Sequence, residues 1–483
     1  MTTWTYPNEI QQDTWSTNLV STSTHQYCAL YTLANEIVIG RRERNPFGAW
    51  ETFELAGAAR TAMACPVSLS DQHNWVTIAV TNHNGVDNSN DVLHVLGNMH
   101  NHPLRYVKSG AGSIVSWFDA TGDLPVPTDI IRWSYPIPAQ MADGKLWLYM
   151  RTSEEFGGSG RSDSHFWIHD GVSWSAPTKI GQGLRVPNAG GPGIPGSDAT
   201  SDEPRDGGLP ANWNMYIAPP YVESDRNPHP GRIHIFGMWH RNATWERGDN
   251  DPFYIWSDDG EDWFAIDGTP VTFPITPIDP FLPLASNNPA IYTGTSDPLS
   301  NELRPDDGSG IAGPWGGPEN DPEPERGGYS HPGGTPTIDP QGYPVHLCNT
   351  QPWCLIRWNG TAWQQEEFNP APYTGAWRPN GPGTEQFIGE GTAIYRKNKL
   401  HALSIVQGPG SNRRVALWEL DETPKRAIRM TGPVHADDGV KPWYCTFDRE
   451  AFRRFNTVEV WGPNGDTPHV VTFGDGPVMF LGP

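Results

Sequence analysis

The chain lacks the features that helical, nucleic-acid-binding or thiolate-metal proteins depend on. No stretch longer than about ten residues carries a helical apolar period, so long helices are excluded. Basic residues are scarce: 33 Lys and Arg stand against 55 Asp and Glu, a formal charge of -22. A general binder of phosphate backbones needs a basic footprint, so nucleic acid is not an expected partner. The five cysteines, Cys28, Cys65, Cys348, Cys354 and Cys445, show no metal-ligand spacing, and an odd number is not a complete disulfide set. No run approaches the roughly 18 apolar residues of a membrane helix, so no membrane partner is expected. The first residues, MTTWTYPNEIQQ, contain no basic segment followed by an apolar core. The expectation is a monomer, either cytoplasmic or a secreted form whose leader has been removed.

What the chain has in excess is turn and aromatic chemistry. Gly 52 and Pro 48 make up about a fifth of it, alongside 22 Trp, a composition that suits many short strands joined by turns. Two units recur. One is a turn followed by a short apolar strand often bearing histidine, as at His94, His234, His346 and His401. The other is a polar turn closing on tryptophan: His169 to Trp174, Ser257 to Trp263, and Trp358 to Trp363. Such turns form tight hairpins whose Trp covers a sheet edge, a structural role. They resemble degenerate Asp-boxes of the bacterial-neuraminidase-repeat (BNR) type. Repeated sheet units of this kind predict an all-β fold, a seven-bladed β-propeller forming a single domain over residues 1–483. The Gly-, Pro- and Asp-rich stretches at 181–212 and 295–342 read as long loops controlling access.

Chemistry-bearing residues gather at strand ends in the first third. The segment from Asp91 to Ser109 reads as a period-2 strand followed by Asn98-Met99-His100-Asn101-His102. Upstream, the strand Val76–Val80 ends near His83; downstream, the stretch Ile130–Ser134 leads into Tyr135, and the strand Leu146–Met150 finishes on Arg151. Taken singly, each such residue is more often structural than catalytic. Their joint spacing over successive hairpins predicts that His83, His100, Tyr135 and Arg151 converge on one face around the channel.

The string Asn98 to Tyr106, the preceding His83-Asn84 pair, Ser134-Tyr135-Pro136 with Asp143-Gly144, Tyr149-Met150-Arg151 and Gly157 to Gly160 resemble BNR-type propeller polysaccharide lyases, which include ulvan lyases and rhamnose-glucuronate lyases. The similarity continues through Asn212 to Tyr216, Gly231 to Arg241 and Ala265 to Pro270, covering roughly residues 75–275. Three departures stand out: Thr81 occupies the place two before the first histidine where the family often has Asp, the segment between the histidines is contracted, and an insertion at 181–212 precedes the Tyr216 strand.

The resemblance implies catalytic roles for His83, His100, Tyr135 and Arg151, on an acidic polysaccharide cut by β-elimination at a uronate in a rhamnose-glucuronate type linkage. Elimination needs the uronate carboxylate neutralised, a base near the C5 hydrogen and an acid near the leaving O4. The expected division gives His83 and Tyr135 the proton transfers, His100 and Arg151 the carboxylate, and Tyr216 substrate support. His102, His240, Arg241 and His331 are further substrate-binding candidates. No cofactor is required for the chemistry. A structural divalent cation, calcium or zinc, fits such propellers, and Asp249, Asp251, Asp306 and Asp307 are candidate ligands without diagnostic spacing. The rival readings are a glycoside hydrolase, α-L-rhamnosidase-like, on the same linkage, and a non-catalytic carbohydrate-binding propeller.

Overall fold

Short apolar strands punctuated by Asp-Gly and Asn-Gly turns fold into seven antiparallel sheets that follow one another along the chain. The computed structural model describes residues 18–31, 36–44, 47–64, 76–128, 130–152, 163–183, 185–186, 211–242, 247–276, 334–348, 353–368, 386–396, 398–407, 413–420, 426–430, 446–464, 467–473 and 479–481. The described part of the long 181–212 loop is limited to its two ends, and the 295–342 loop is described only from residue 334. Among the described residues no helix is long and apolar enough to cross a membrane.

The first sheet spans Leu19 to Glu54, and the second contains Val76–Thr81, Val92–Gly97, Tyr106–Ser109 and Trp117–Asp119. The third is built from Trp133–Gln140, Leu146–Thr152, Ser164–His169 and Thr178–Gly181. The fourth includes Ala211–Ile217, Ile233–Asn242 and Arg247–Ser257, and three four-stranded sheets complete the series.

Apolar side chains bind each sheet to the next. Tyr27 and Ile39 of the first pack with Ile78 and Leu93 of the second. Leu96 and Tyr106 pack with Trp133, Leu148 and Trp167 of the third. Tyr149 and Phe166 meet Ile235 and Phe253 of the fourth, and the same pattern continues into the fifth and sixth. Large residues with no exposed surface, Trp133, Trp147, Trp167 and Trp239 among them, supply most of the buried apolar area per side chain. The seventh sheet returns to the first. Asp448, fully buried, caps the helix Arg449–Phe455 by accepting from the Ala451 N–H at 2.8 Å, and also accepts from Ser21 Oγ at 2.6 Å and Gln26 Nε2 at 2.9 Å. Arg226 from the fourth sheet donates to the carbonyls of Phe452 and Arg453 at the other end of that helix.

The recurrent sequence units are recurrent structures. In the three Trp turns the side chains of Asp170, Asp259 and Asn359 each accept two successive backbone N–H groups at 2.8–3.0 Å. The strand histidines are internal struts. His94 bonds Thr81 Oγ1 at 2.8 Å and Tyr106 Oη at 2.6 Å, and His234 bonds Glu223 at 2.9 Å and Tyr254 Oη at 2.5 Å.

Candidate active site

The hairpin Val76–Thr81/Val92–Gly97 has a defined polarity: Val76 pairs with Gly97 at one end and Thr81 with Val92 at the other. Residues following Gly97 therefore emerge at the Val76 end. There the chain leaves its own sheet. Asn98 adopts φ 54°, donates its amide to the Met63 carbonyl at 2.6 Å and receives Arg105 on its own carbonyl at 3.2 Å. The short strand His100–His102 then pairs with the third sheet, His100 opposite Ser134 and His102 opposite Trp133. The Asn101 N–H donates to Ser134 Oγ at 2.8 Å. A segment of the second sheet's sequence thus serves as an edge strand of the third, and this carries His100 to its partners.

Tyr135 sits in a β-bulge between Ser134 and Ile137 with φ 58°, a left-handed conformation that is a strained outlier for an aromatic residue. The bulge turns its ring toward His100, at 5.6 Å between centroids, and toward Tyr216 of the fourth sheet, at 5.8 Å. Arg151 lies opposite Ser134 on the neighbouring strand. Its guanidinium carbon is 4.4 Å from the Tyr135 ring centroid and 4.9 Å from that of Tyr216. Behind it, Tyr149 donates to the Met215 carbonyl at 3.0 Å and shares a 2.9 Å bond with Ser164, locking the third sheet to the fourth.

The electrostatics of the cluster are unusual. Arg151 is 6% exposed, and its Nε and Nη1 have no hydrogen-bond partner among the described residues. Burial opposes its charge, but Tyr216, Tyr135 and Tyr149 together outweigh that effect and hold its pKa above the ordinary value. The result is a desolvated cation between aromatic faces, the arrangement in which an incoming anion gains most.

The structure brings His100, Tyr135, Arg151 and Tyr216 together and separates His83 from them. His83 follows Thr81 and so lies beyond the Val92 end of the hairpin, the end opposite His100. The expectation of one face holding all four is corrected here, because a hairpin's turn end and open end lie a strand length apart. His102 pairs with Trp133 at the cluster's margin. His240 stands opposite Asn214 on the strand Ile233–Asn242, followed by Arg241, but both side chains lie outside the described residues, as does the whole of His331. The side chains of Asp249 and Asp251, and all of Asp306 and Asp307, also lie outside them. Among the described residues no group of three or more His, Cys, Asp or Glu side chains is arranged to hold a metal.

One histidine escaped the sequence reading. In sequence His73 stands two places after Asp71 and three before Val76, the first residue of the hairpin. The signal was available, since Asp71-Gln72-His73 supplies the acid that Thr81 fails to supply for His83. His73 itself lies outside the described residues.

Seven successive antiparallel sheets with a His-Tyr-Arg-Tyr cluster between the third and fourth define an all-β fold shared with known polysaccharide lyases. An ulvan lyase of polysaccharide lyase family PL25 is similar at 11% identity and TM-score 0.58, over 99% of this chain and 95% of that one. The same values hold for PL25 ulvan lyase bound to -[GlcA(1-4)Rha3S]-. The polysaccharide lyase Uly1 is similar at 12% identity and TM-score 0.55, over 96% of this chain and 88% of that one. The model of BNR repeat-containing family members matches residues 25–296, more than half of the sequence, and the chain belongs to that family. No curated protein matches it.

Proposed function

We propose that this protein is a polysaccharide lyase on a seven-bladed β-propeller, cutting a uronic-acid-containing glycan by β-elimination at a rhamnose-glucuronate type linkage. The observation that carries the reading is Arg151, a buried guanidinium with two unpartnered nitrogens, stacked on Tyr135 and Tyr216 beside His100. A uronate carboxylate paired with it loses the charge that otherwise resists removal of the C5 proton. Tyr135 and His100 form the acid-base pair: one takes the C5 proton, the C5–H electrons form the C4–C5 double bond, and the leaving O4 receives a proton from the other. Tyr216 holds the guanidinium and lines the sugar's approach. His83 has no part in this scheme, and His73 is a further candidate for the proton transfers.

Two facts support elimination over hydrolysis. Most glycosidases use a pair of carboxyl groups flanking the bond, whereas the described cluster is His, Tyr, Arg and Tyr. Asp163, one residue before Ser164, is engaged by Lys179 at 2.5 Å and by the Gly183 N–H at 3.2 Å. In addition, the fold is that of the ulvan lyase that binds a glucuronate-rhamnose repeat.

The test is incubation with ulvan, gum arabic and related uronate glycans, following unsaturated-uronate absorbance and reducing ends together. Both rise for a lyase. Reducing ends without absorbance would overturn elimination in favour of hydrolysis, and binding with neither would leave a carbohydrate-binding propeller.

A further inference from the structure

His83, excluded from the cluster above, has a complete constellation of its own. Its Nδ1 is 2.7 Å from Asp91 Oδ1, and its Nε2 is 2.6 Å from Ser23 Oγ. The Ser23 N–H also points at Nε2, at 3.3 Å, which makes Nε2 an acceptor and places the imidazole proton on Nδ1, toward Asp91. Asp91 is 1% exposed, and its second oxygen accepts from Tyr27 Oη at 2.5 Å. Burial and the Asp91 carboxylate both raise the Tyr27 pKa, so the phenol keeps its proton and remains a donor. Ser23 is half-buried in the turn between the strands Leu19–Ser21 and His25–Tyr31, 60 residues from His83 in sequence. Nucleophile, base and orienting acid are thus in hydrogen-bond contact in the tautomer that acyl transfer requires.

The His83 end of the constellation borders open space. His83 and Gly85, whose carbonyl is 3.2 Å from Ser23 Oγ, line a cavity of about 680 Å³ together with Asn82, Asn90, Asp143 and Asp170. The lining mixes amides, the carboxylates of Asp143 and Asp170, the Arg454 cation and the small apolar Val92, Ala111 and Ala142, which suits a hydroxyl-rich group carrying a small acyl substituent and disfavours a long lipid chain.

We propose that Ser23, His83 and Asp91 form a second catalytic site, an esterase that removes small acyl groups such as acetyl from a carbohydrate hydroxyl. Ser23 Oγ attacks the ester carbonyl carbon as its proton passes to His83 Nε2. The bond from that carbon to the sugar oxygen breaks, and the sugar hydroxyl leaves with the proton from His83. Water, deprotonated by the same nitrogen, then attacks the acyl-serine, releasing the carboxylic acid and restoring Ser23. Asp91 steadies the imidazolium through Nδ1. Asn82 and Asn90 lie on the cavity wall, and in this proposal their amides serve the oxyanion. This site is independent of the cluster around Arg151 and does not rest on lyase activity.

The test uses the full chain with glucose pentaacetate, measuring released acetate, and a fluorophosphonate reagent, locating the label by peptide mass spectrometry. Label on Ser23 and acetate release that falls at least about a hundred-fold in Ser23→Ala and in Asp91→Asn, with the Ser23→Ala melting temperature unchanged, is the expected result. Acetate release equal in wild type and Ser23→Ala, or a folded wild type that neither releases acetate nor takes up the label, would overturn the proposal and leave the triad as a strut between the first two sheets.

Discussion

Replacing Arg151 with methionine separates what this residue does for the fold from what it does for the glycan. Methionine matches the length of the arginine stem and removes the charge. The fold loses two cation–π contacts, each worth about 0.5–2 kcal/mol, and a hydrogen bond to Tyr216 worth about 1 kcal/mol. It also escapes the several kcal/mol that burying a cation costs where, as among the described residues, no carboxylate faces it. The net expectation is a stability change between about zero and a gain of 3 kcal/mol, read from urea unfolding followed by tryptophan fluorescence. Catalysis moves the other way: loss of the only described cation in the cluster lowers kcat/KM on a uronate polysaccharide by roughly a thousand-fold, about 4 kcal/mol of transition-state stabilisation. A methionine variant that unfolds more easily by more than about 2 kcal/mol while cleaving within about ten-fold of wild type would refute the reasoning and make Arg151 a structural residue.

Two further outcomes follow from the same geometry. Tyr135→Phe keeps the ring beneath Arg151 and removes only the hydroxyl; turnover should fall by about a hundred-fold or more while glycan affinity stays within a few-fold, measured by steady-state kinetics and calorimetry. The buried struts His94 and His234, with the partly buried His169, all have pKa values pushed below the ordinary 6.5, chiefly by desolvation. Below pH 6.5 the unfolded chain binds protons that the folded one refuses, so the stability these residues contribute is complete above 6.5 and is lost as pH falls. Melting temperature should therefore be flat above about pH 7 and decline toward pH 5, with a shallower decline in His94→Gln; an identical slope in that variant would remove His94 from the account.

Much of the architecture was legible because it depends on local signals. Turn chemistry at Asp170, Asp259 and Asn359, period-2 strands and the lack of helical periodicity all act within a few residues, and they foretold antiparallel sheets and recurrent Trp turns. The grouping of His100, Tyr135 and Arg151 was suggested by the spacing of strand ends over successive hairpins and by family resemblance, and not by any single local signal. Nothing local announces that His100–His102 pairs with a strand of the next sheet, or that a Tyr before Pro136 adopts a left-handed backbone. Misplacing His83 was avoidable, since hairpin polarity alone puts a residue following Thr81 at the opposite end from one following Gly97. The contact between Ser23 and His83 was not, because it joins two turns through tertiary packing between the first two sheets.

The most direct test of the central claim is the mass of the products released from a uronate polysaccharide. Elimination leaves each new non-reducing end one water lighter than hydrolysis does, with a C4–C5 double bond on the uronate. The account predicts that every such fragment made by wild type carries this deficit and that Arg151→Met makes almost none. Fragments carrying the full mass of a hydrolysis product, made by wild type at a rate that the Arg151→Met substitution leaves unchanged, would contradict it.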